Sequence, residues 1–283
     1  MVKSISTKSE LKNFLKKSEI HGPLGFVPTM GNLHDGHLSL INQSVKENNL
    51  TVVSIFVNPT QFGENEDFGS YPRTLNEDIE KIKNLSTEGN IVVFCPSNIN
   101  EVYPLNFKTD FSVKSLEKDL CAKSRPGHFS GVLSVIYHLF HLVSPNTAYF
   151  GQKDYQQYLI IKKFSADLFP KIQIKCCPIV RDSNGLALSS RNNYLTSEEQ
   201  KEALFLKNTI DRIARDISKR EFKKTEEYKS KHINFEWDYL EVFDASDLST
   251  INKETKNILI AGALNAFGKV RLIDNTLLEI NHV

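Results

Sequence analysis

The chain has 283 residues, of which 40% are hydrophobic and 24% charged, with a formal net charge of +1. This is the balance of a soluble globular fold with room for one large domain or two modest ones. It carries no basic footprint for DNA or RNA, no apolar run long enough to span a membrane and no signal-peptide core near its start. Four cysteines, Cys95, Cys121, Cys176 and Cys177, form no Cys-x-x-Cys pair. They read as reduced thiols, which fits a cytoplasmic location.

In chain order, Met1 to Ile20 alternates Lys, Ser and Glu with apolar residues and predicts an amphipathic helix. Strands are expected over Leu24–Pro28, Thr51–Val57, Ile91–Cys95, Thr147–Phe150 and Ile172–Val180. Helices are expected over Leu38–Glu47, Leu75–Leu85, Val132–Val143, Tyr155–Leu168 and Glu198–Ile217. Strand followed by helix, repeated, argues for an α/β domain over residues 1–182, a parallel sheet with helices on both faces. From 183 to 283 the pattern changes. A helix gives way to a Lys/Glu-rich solvated stretch, Lys219 to Lys231, and then to strands at Tyr239–Phe243, Asn257–Leu264 and Val270–Asp274. A smaller α+β domain follows from that.

In parallel sheets of this kind ligands bind beyond the carboxyl ends of the strands, and the motifs with chemistry lie there. The first is Pro28-Thr29-Met30-Gly31-Asn32-Leu33-His34-Asp35-Gly36-His37, a strand end, a glycine-bearing turn and a helix start. His34 and His37 share one helix face. A helix N-terminus attracts anions, and imidazole donors can follow charge developing on phosphate oxygens. The run reads as a triphosphate cradle for adenylyl transfer. Surface histidines or two ligands of a metal site are the alternatives, and no third ligand has zinc-like spacing.

The second motif is Gly185-Leu186-Ala187-Leu188-Ser189-Ser190-Arg191-Asn192, with two hydroxyls and a guanidinium suited to phosphate. It is also a polar loop ahead of a capping box at Thr196 and Glu199. Gln61, in Asn58-Pro59-Thr60-Gln61, offers an amide that suits a hydroxy acid, or is a plain turn residue. Lys153 can place a charge on phosphate, and Asp154 can cap the helix it opens. Glu77 and Asp78 read as first-turn helix carboxylates.

Taken in order, Met30–His37, Phe56-Val-Asn-Pro-Thr-Gln-Phe62, Tyr71-Pro-Arg-Thr74, Arg125-Pro-Gly-His-Phe129, Phe150-Gly-Gln-Lys-Asp-Tyr-Gln-Gln157 and Leu188-Ser-Ser-Arg-Asn192 resemble the pantothenate synthetase (pantoate–β-alanine ligase) family. Arg271-Leu-Ile-Asp274 fits that family's C-terminal strand, so the resemblance covers essentially the whole chain. It places the chain in the wider group of nucleotidyltransferases with a HIGH-type helix start and a KMSKS-like loop. A Rossmann-like, doubly wound N-terminal domain, a smaller C-terminal domain carrying the KMSKS-like loop, and a homodimer are implied.

The resemblance implies adenylylation of pantoate by ATP with Mg²⁺, then attack of the β-alanine amine to give pantothenate and AMP. It assigns His34 and His37 to the α–β phosphate region, with His37 as a candidate proton donor. Met30, Gly31, Asn32, Leu33, Asp35 and Gly36 belong to the same nucleotide-binding run. Gly151, Gln152, Lys153 and Asp154 line ATP, Val180 lies by the adenine, and Leu188, Ser189, Ser190 and Arg191 hold the triphosphate. Gln61 and Gln157 bind pantoate. Glu77 and Asp78 are linked to the metal or its waters. Arg125 and His128 flank the site, and Tyr71 walls it or packs in a core. Another nucleotidyltransferase of the HIGH group and a silent nucleotide-binding protein are the competing readings. Gln61 and Gln157 favour the ligase over the first, and the intact phosphate-binding residues argue against the second.

Overall fold

The computed structural model describes residues 2–18, 22–64, 66–85 and 90–280. The chain begins with a short strand, β1 (Val2–Ile5), and a helix, α1 (Lys8–Lys17). The single amphipathic helix expected from Met1 to Ile20 is therefore corrected to a strand and a helix (Met1, Glu19 and Ile20 lie outside the described residues). Four residues with only Ile5 buried show no period to read. Thr7 ends the strand and caps α1, its hydroxyl accepting from the Glu10 amide at 3.2 Å.

Five more strands follow: β2 (Leu24–Thr29), β3 (Leu50–Ile55), β4 (Asn90–Phe94), β5 (Thr147–Gly151) and β6 (Gln173–Cys177). They alternate with α2 (Asp35–Glu47), α3 (Leu75–Lys83), α4 (Cys121–Ser124), α5 (His128–Val143) and α6 (Tyr155–Leu168). All pair in parallel, in the order β1-β4-β3-β2-β5-β6. Helices lie on both faces. Leu11 of α1, Leu133 and Phe140 of α5 and Ile160 of α6 pack with Phe26 and Val52 on one side. Leu40 and Ile41 of α2 and Ile82 of α3 pack with Val27 and Val53 on the other. Apolar strands buried on both faces are what a fully covered parallel sheet requires. The order in which strands are added reverses at the β2–β5 pair, and a crevice opens outside the carboxyl ends of that pair, as in other doubly wound sheets.

Two strands are shorter than expected because Pro59 and Pro178 follow them. β3 stops at Ile55 and not Val57, and β6 at Cys177 and not Val180. The helix expected over Glu198–Ile217 is broken at Ala203 into α7 (Ser197–Glu202) and α8 (Leu204–Ser218). Thr196 and Glu199 do form the capping box at its start. Lys219 to Lys231 is loop with one 3₁₀ turn at Thr225–Glu227.

The remaining strands, β7 (Phe235–Asp244), β8 (Asn257–Ala266) and β9 (Val270–Glu279), form an antiparallel sheet in chain order. Leu206, Ile210 and Ile213 of α8 cover Ile258, Ile260 and Leu264 of β8. The other side of β8, Leu259 and Ala261, joins the core of the parallel sheet's α5–α6 face. β8 is buried on both sides, so its pattern runs apolar from Ile258 to Leu264. Arg181, just after β6, donates to both carboxylate oxygens of Asp274 on β9 at 2.6 and 2.9 Å, and ties the two parts together.

Candidate active site

β2 delivers its chain to the crevice through Gly31, whose φ of +82° is in the region that favours glycine. A Cβ there would lie 3.1 Å from Asp78 Oδ2 and from Ile55 Cγ2. Asp78 is fully buried beneath the turn and accepts from Asn32 N at 2.9 Å, Leu33 N at 2.7 Å and Thr74 Oγ1 at 3.2 Å. Its carboxylate is a brace for the loop, which corrects the metal-linked role expected of it. Glu77 is exposed at the helix start. Among the described residues no cluster of three His, Cys, Asp or Glu side chains could hold a metal. Leu33 fills the α2–α3 core and Asp35 faces solvent, so neither side chain lines the crevice.

α2 then starts with an unusual cap. His34 is the N-cap residue, and its Nδ1 accepts from Gly36 N at 3.1 Å. His37 Nδ1 accepts from His34 N at 3.4 Å, closing a capping box built from two imidazoles. An accepting Nδ1 places the proton of the neutral ring on Nε2. The rings lie 4.2 Å apart, tilted by 39°. Burial, then His34 and Lys153, pushes His37 down to about 3. Burial, then Lys153, pushes His34 down to about 4. At neutral pH both are therefore neutral Nε2–H donors. His37 is not a standing acid in the free enzyme, and a triphosphate beside it would raise its proton affinity.

Both histidines line a cleft of about 250 Å³. Met30, Lys153, Asp154, Val180, Leu188, Ser189, Ser190 and Arg191 share its wall, as do Gln61, Gln157 and Tyr71. A second cavity of about 460 Å³ adjoins it between the two sheets and shares Arg125, His128, Lys153, Asp154 and Gln157. The residues singled out in six separate motifs thus converge. Gln152 departs from expectation: its side chain donates to Asn275 Oδ1 at 3.2 Å. Asn275 Nδ2 in turn donates to the Gln152 and Lys153 carbonyls at 2.9 and 3.0 Å, pinning the turn that presents Lys153. Asp154 makes no side-chain cap to α6 and is exposed, its carboxylate left to the cleft.

Gln61 is held from three sides. α5 approaches its turn at Gly131, where a Cβ would come within 2.2 Å of the Thr60 carbonyl. Buried Asn58 donates through Nδ2 to the Gly131 carbonyl and to Gln61 Oε1, both at 3.1 Å. Asn58 Oδ1 accepts from Tyr103 Oη at 2.8 Å. A carbonyl only accepts, so the orientation of Asn58, and with it Gln61, is fixed. Gln61 Oε1 is occupied and Nε2 remains the donor for a ligand. His128 Nδ1 donates to the Gln61 carbonyl at 2.8 Å. Burial, then Arg125, lowers His128 to about 4. The role of Asn58 was open to a sequence reading, since its neighbours Pro59 and Gln61 were singled out. That of Tyr103, 45 residues away, was not.

Two arginines of the cleft are already paired. Arg191 donates to Asp67 at 3.0 and 2.7 Å, and its guanidinium lies 5.8 Å from the centre of the Tyr71 ring. Arg125 donates to Glu66 at 2.7 and 2.6 Å. Tyr71 Oη lies 3.4 Å from Ser190 Oγ. Glu66 and Asp67, which sequence reasoning passed over, thus reach Arg125 and the Ser189–Arg191 loop respectively.

A parallel sheet whose switch point carries a glycine turn, two imidazole donors and a lysine defines a nucleotide-binding α/β enzyme. The family model described as pantoate-beta-alanine ligase matches residues 3–277. The chain is similar to the pantothenate synthetase of Acetivibrio thermocellus, 46% identical over 98% of this chain and 99% of that one. It is similar also to that of Pseudothermotoga lettingae, 44% identical over 98% of each. Among solved structures it resembles pantothenate synthetase from Thermus thermophilus, with a TM-score of 0.86, 37% identity and coverage of 98% and 99%. It resembles pantoate-beta-alanine ligase from Francisella tularensis complexed with beta-gamma ATP and beta-alanine, with a TM-score of 0.77, 34% identity and 98% of each chain covered. The chain belongs to the pantoate–β-alanine ligase family. It is a ligase that forms pantothenate from pantoate and β-alanine.

Proposed function

We propose that the two-imidazole cap of α2 is the centre of adenylate formation. The observation that carries this reading is that both Nδ1 atoms are consumed in the cap, leaving both Nε2–H groups as donors in a cleft shared with Lys153 and the Ser189–Arg191 loop. A pantoate carboxylate oxygen attacks the α-phosphorus, the bond to the β-phosphate oxygen breaks, and pyrophosphate leaves with that electron pair. No covalent nucleophile is required of the protein, which supplies position and charge. His34, His37 and Lys153 face the negative charge that grows on the departing pyrophosphate. Ser189, Ser190 and Arg191 grip the phosphates from the opposite wall, with Leu188 beneath them. Arg191 reaches them by exchanging Asp67 for phosphate. Met30, Gly31, Asn32 and the Gly151–Asp154 turn border the nucleotide, with Val180 toward the adenine.

Gln61 Nε2 and Gln157 bind pantoate, and the apolar wall of α5 takes its two methyl groups. The β-alanine amine then attacks the carboxyl carbon of the mixed anhydride, expelling AMP and releasing a proton. It enters through the adjoining cavity between the sheets. Mg²⁺, when bound with the nucleotide, would take oxygen ligands. Asp154, whose carboxylate faces the cleft, fits as its protein ligand, and the ion would neutralise phosphate charge. The division into working units, residues 1–182 and 183–283, is part of the proposal. So are a homodimer and a cytoplasmic location. The first is supported by the separate core of α8 with β7–β9. The last is supported by four cysteines that are all free thiols.

The test is release of AMP and pyrophosphate from ATP and Mg²⁺, with pantoate and β-alanine added singly and together. Sustained turnover is expected only with both. His37→Ala is expected to slow single-turnover adenylate formation far more than it weakens pantoate binding. A near-normal rate in that variant would remove the imidazole pair from the chemistry.

A further inference from the structure

β3 reads Leu-Thr-Val-Val-Ser-Ile, and its fifth residue, Ser54, is 1% exposed. Buried hydroxyls elsewhere in the protein are satisfied. Ser44 and Thr51 pair at 2.8 Å, and Ser134 donates to the Ser130 carbonyl at 2.8 Å. Ser54 Oγ has no hydrogen-bond partner among the described residues. A buried hydroxyl left without a partner costs free energy, so a strand that keeps one against the valine or alanine that would pack there has a use for it.

Ser54 is among the residues that line the cleft. The register sets Ser54 beside Pro28 on β2, one residue inside the end of the pair Thr29–Ile55. Val52, two residues earlier on the same face, packs in the core of the α5 side. Ser54 therefore faces α5, and Val132, Val135, Ile136 and Leu139 of that helix line the same cavity. The polar capacity at this end is small. Both amide atoms of Asn58 are spent within the protein, and Gln61 Oε1 is taken by Asn58. Gln61 can donate to a ligand through Nε2, and its Oε1, already accepting from Asn58, keeps one lone pair.

We propose that Ser54 is a specificity-determining residue of the acid site, its hydroxyl pairing with the terminal hydroxyl of pantoate. The inference rests on the reading of this end of the cleft as the pantoate pocket. Pantoate carries its carboxylate at one end, a primary hydroxyl at the other, and a carbon with two methyl groups next to the primary alcohol. With the carboxylate held at the His34–His37–Lys153 side, the methyls lie on the valines, isoleucine and leucine of α5. The far hydroxyl then reaches the inner wall, where it needs an acceptor for its proton. Ser54 supplies one, and its own proton is free to be donated in return. A site built to pair with a substrate hydroxyl rejects an analogue that lacks it, because the buried protein group is again left unpaired.

The experiment compares kcat/KM for pantoate and for 2-hydroxy-3,3-dimethylbutanoate, which lacks only the terminal hydroxyl, at saturating ATP and β-alanine. The unaltered enzyme is expected to prefer pantoate. Ser54→Ala is expected to cut that preference about ten-fold, the worth of one good neutral hydrogen bond. The loss should fall on the KM for pantoate and not on the KM for ATP, and Ser54→Thr, which keeps the hydroxyl, should restore the preference. If the alanine variant fails to fold, Ser54→Cys, of nearly the same shape but a weak donor, takes its place. An unchanged preference, or equal losses with both acids, overturns the proposal. Gln61→Ala separates the two levels. If it raises the pantoate KM while Ser54→Ala leaves the preference intact, the pocket stands and the role of Ser54 falls. If neither change moves the handling of pantoate, the pocket itself has been misplaced.

Discussion

Replacing Asp78 by alanine removes the carboxylate beneath the His34 loop. Two backbone donors lose a charged acceptor there, Asn32 N at 2.9 Å and Leu33 N at 2.7 Å, and so does the Thr74 hydroxyl at 3.2 Å. A hydrogen bond to a charged group contributes about 1.5–3 kcal/mol, and the site is fully buried, so water does not replace the lost acceptor without rearrangement. For the two short bonds together the loss should be about 3–6 kcal/mol, a large share of the roughly 5–15 kcal/mol that holds a domain folded. Asp78→Asn should be nearly as costly. Its amide presents one acceptor and one donor, and the donor would face an N–H that can only donate.

The assay is urea unfolding followed by fluorescence of the single Trp, Trp237, and by far-ultraviolet circular dichroism, run beside a Mg²⁺ titration of activity at fixed ATP. The brace predicts a lower unfolding midpoint with an unchanged slope. Surviving folded enzyme should turn over slowly, because the helix start that holds both imidazoles has lost its support. The concentration of Mg²⁺ giving half-maximal rate should not move. Wild-type stability combined with a raised Mg²⁺ requirement would refute the reasoning and make Asp78 a metal ligand after all.

Asn58→Leu frees the Gln61 amide to rotate and leaves the Tyr103 hydroxyl to Thr60 Oγ1, so the pantoate KM should rise about ten-fold or more with the ATP KM little changed; equal effects on both would show a general collapse of the cleft. Asp67→Asn weakens the pair that occupies Arg191, so the ATP KM should fall several-fold and depend less on salt; a rise would mean that Asp67 itself serves the nucleotide complex. His128 is 8% exposed and lowered from 6.5 to about 4, so the unfolded chain takes up a proton there before the folded one does as pH falls. Stability present above pH 6.5 should therefore be lost progressively down to pH 4, by about 3 kcal/mol from this group. His128→Gln should unfold with a shallower pH dependence across that window, and an identical slope would exclude His128 as the cause.

Much of the architecture follows from periodicity because this sheet is covered on both sides. The runs at Leu24, Thr51, Ile91 and Thr147 are mostly apolar on both faces, and the amphipathic helices between them leave no room for hairpins. β1 was hidden for the opposite reason. An edge strand with one paired side and one buried side chain carries almost no pattern, and its identity comes from β4, which it meets some 90 residues later. The break at Ala203 was equally invisible, since neither glycine nor proline marks it and the apolar period continues into α8.

The site divides along the same physical line. Residues proposed to touch a ligand announce themselves by chemistry that a fold does not need, such as two imidazoles at a helix start or paired serines before an arginine. Residues that aim those groups are chemically ordinary, and their meaning is set by tertiary contact. Asp78 looked like any first-turn carboxylate until its oxygens were found under the Gly31 turn. Glu66 and Asp67 looked like loop polarity until they met Arg125 and Arg191, the latter 124 residues away. Asn275 carries no signal in its own strand, yet it fixes the turn that presents Lys153. The donors for phosphate can be read from a list of residues; their direction comes from partners distant in the chain. A substitution in one of those partners should therefore alter catalysis while leaving every ligand-contacting residue in place, and Asp78, Asn58 and Asp67 are the three positions where that separation can be measured.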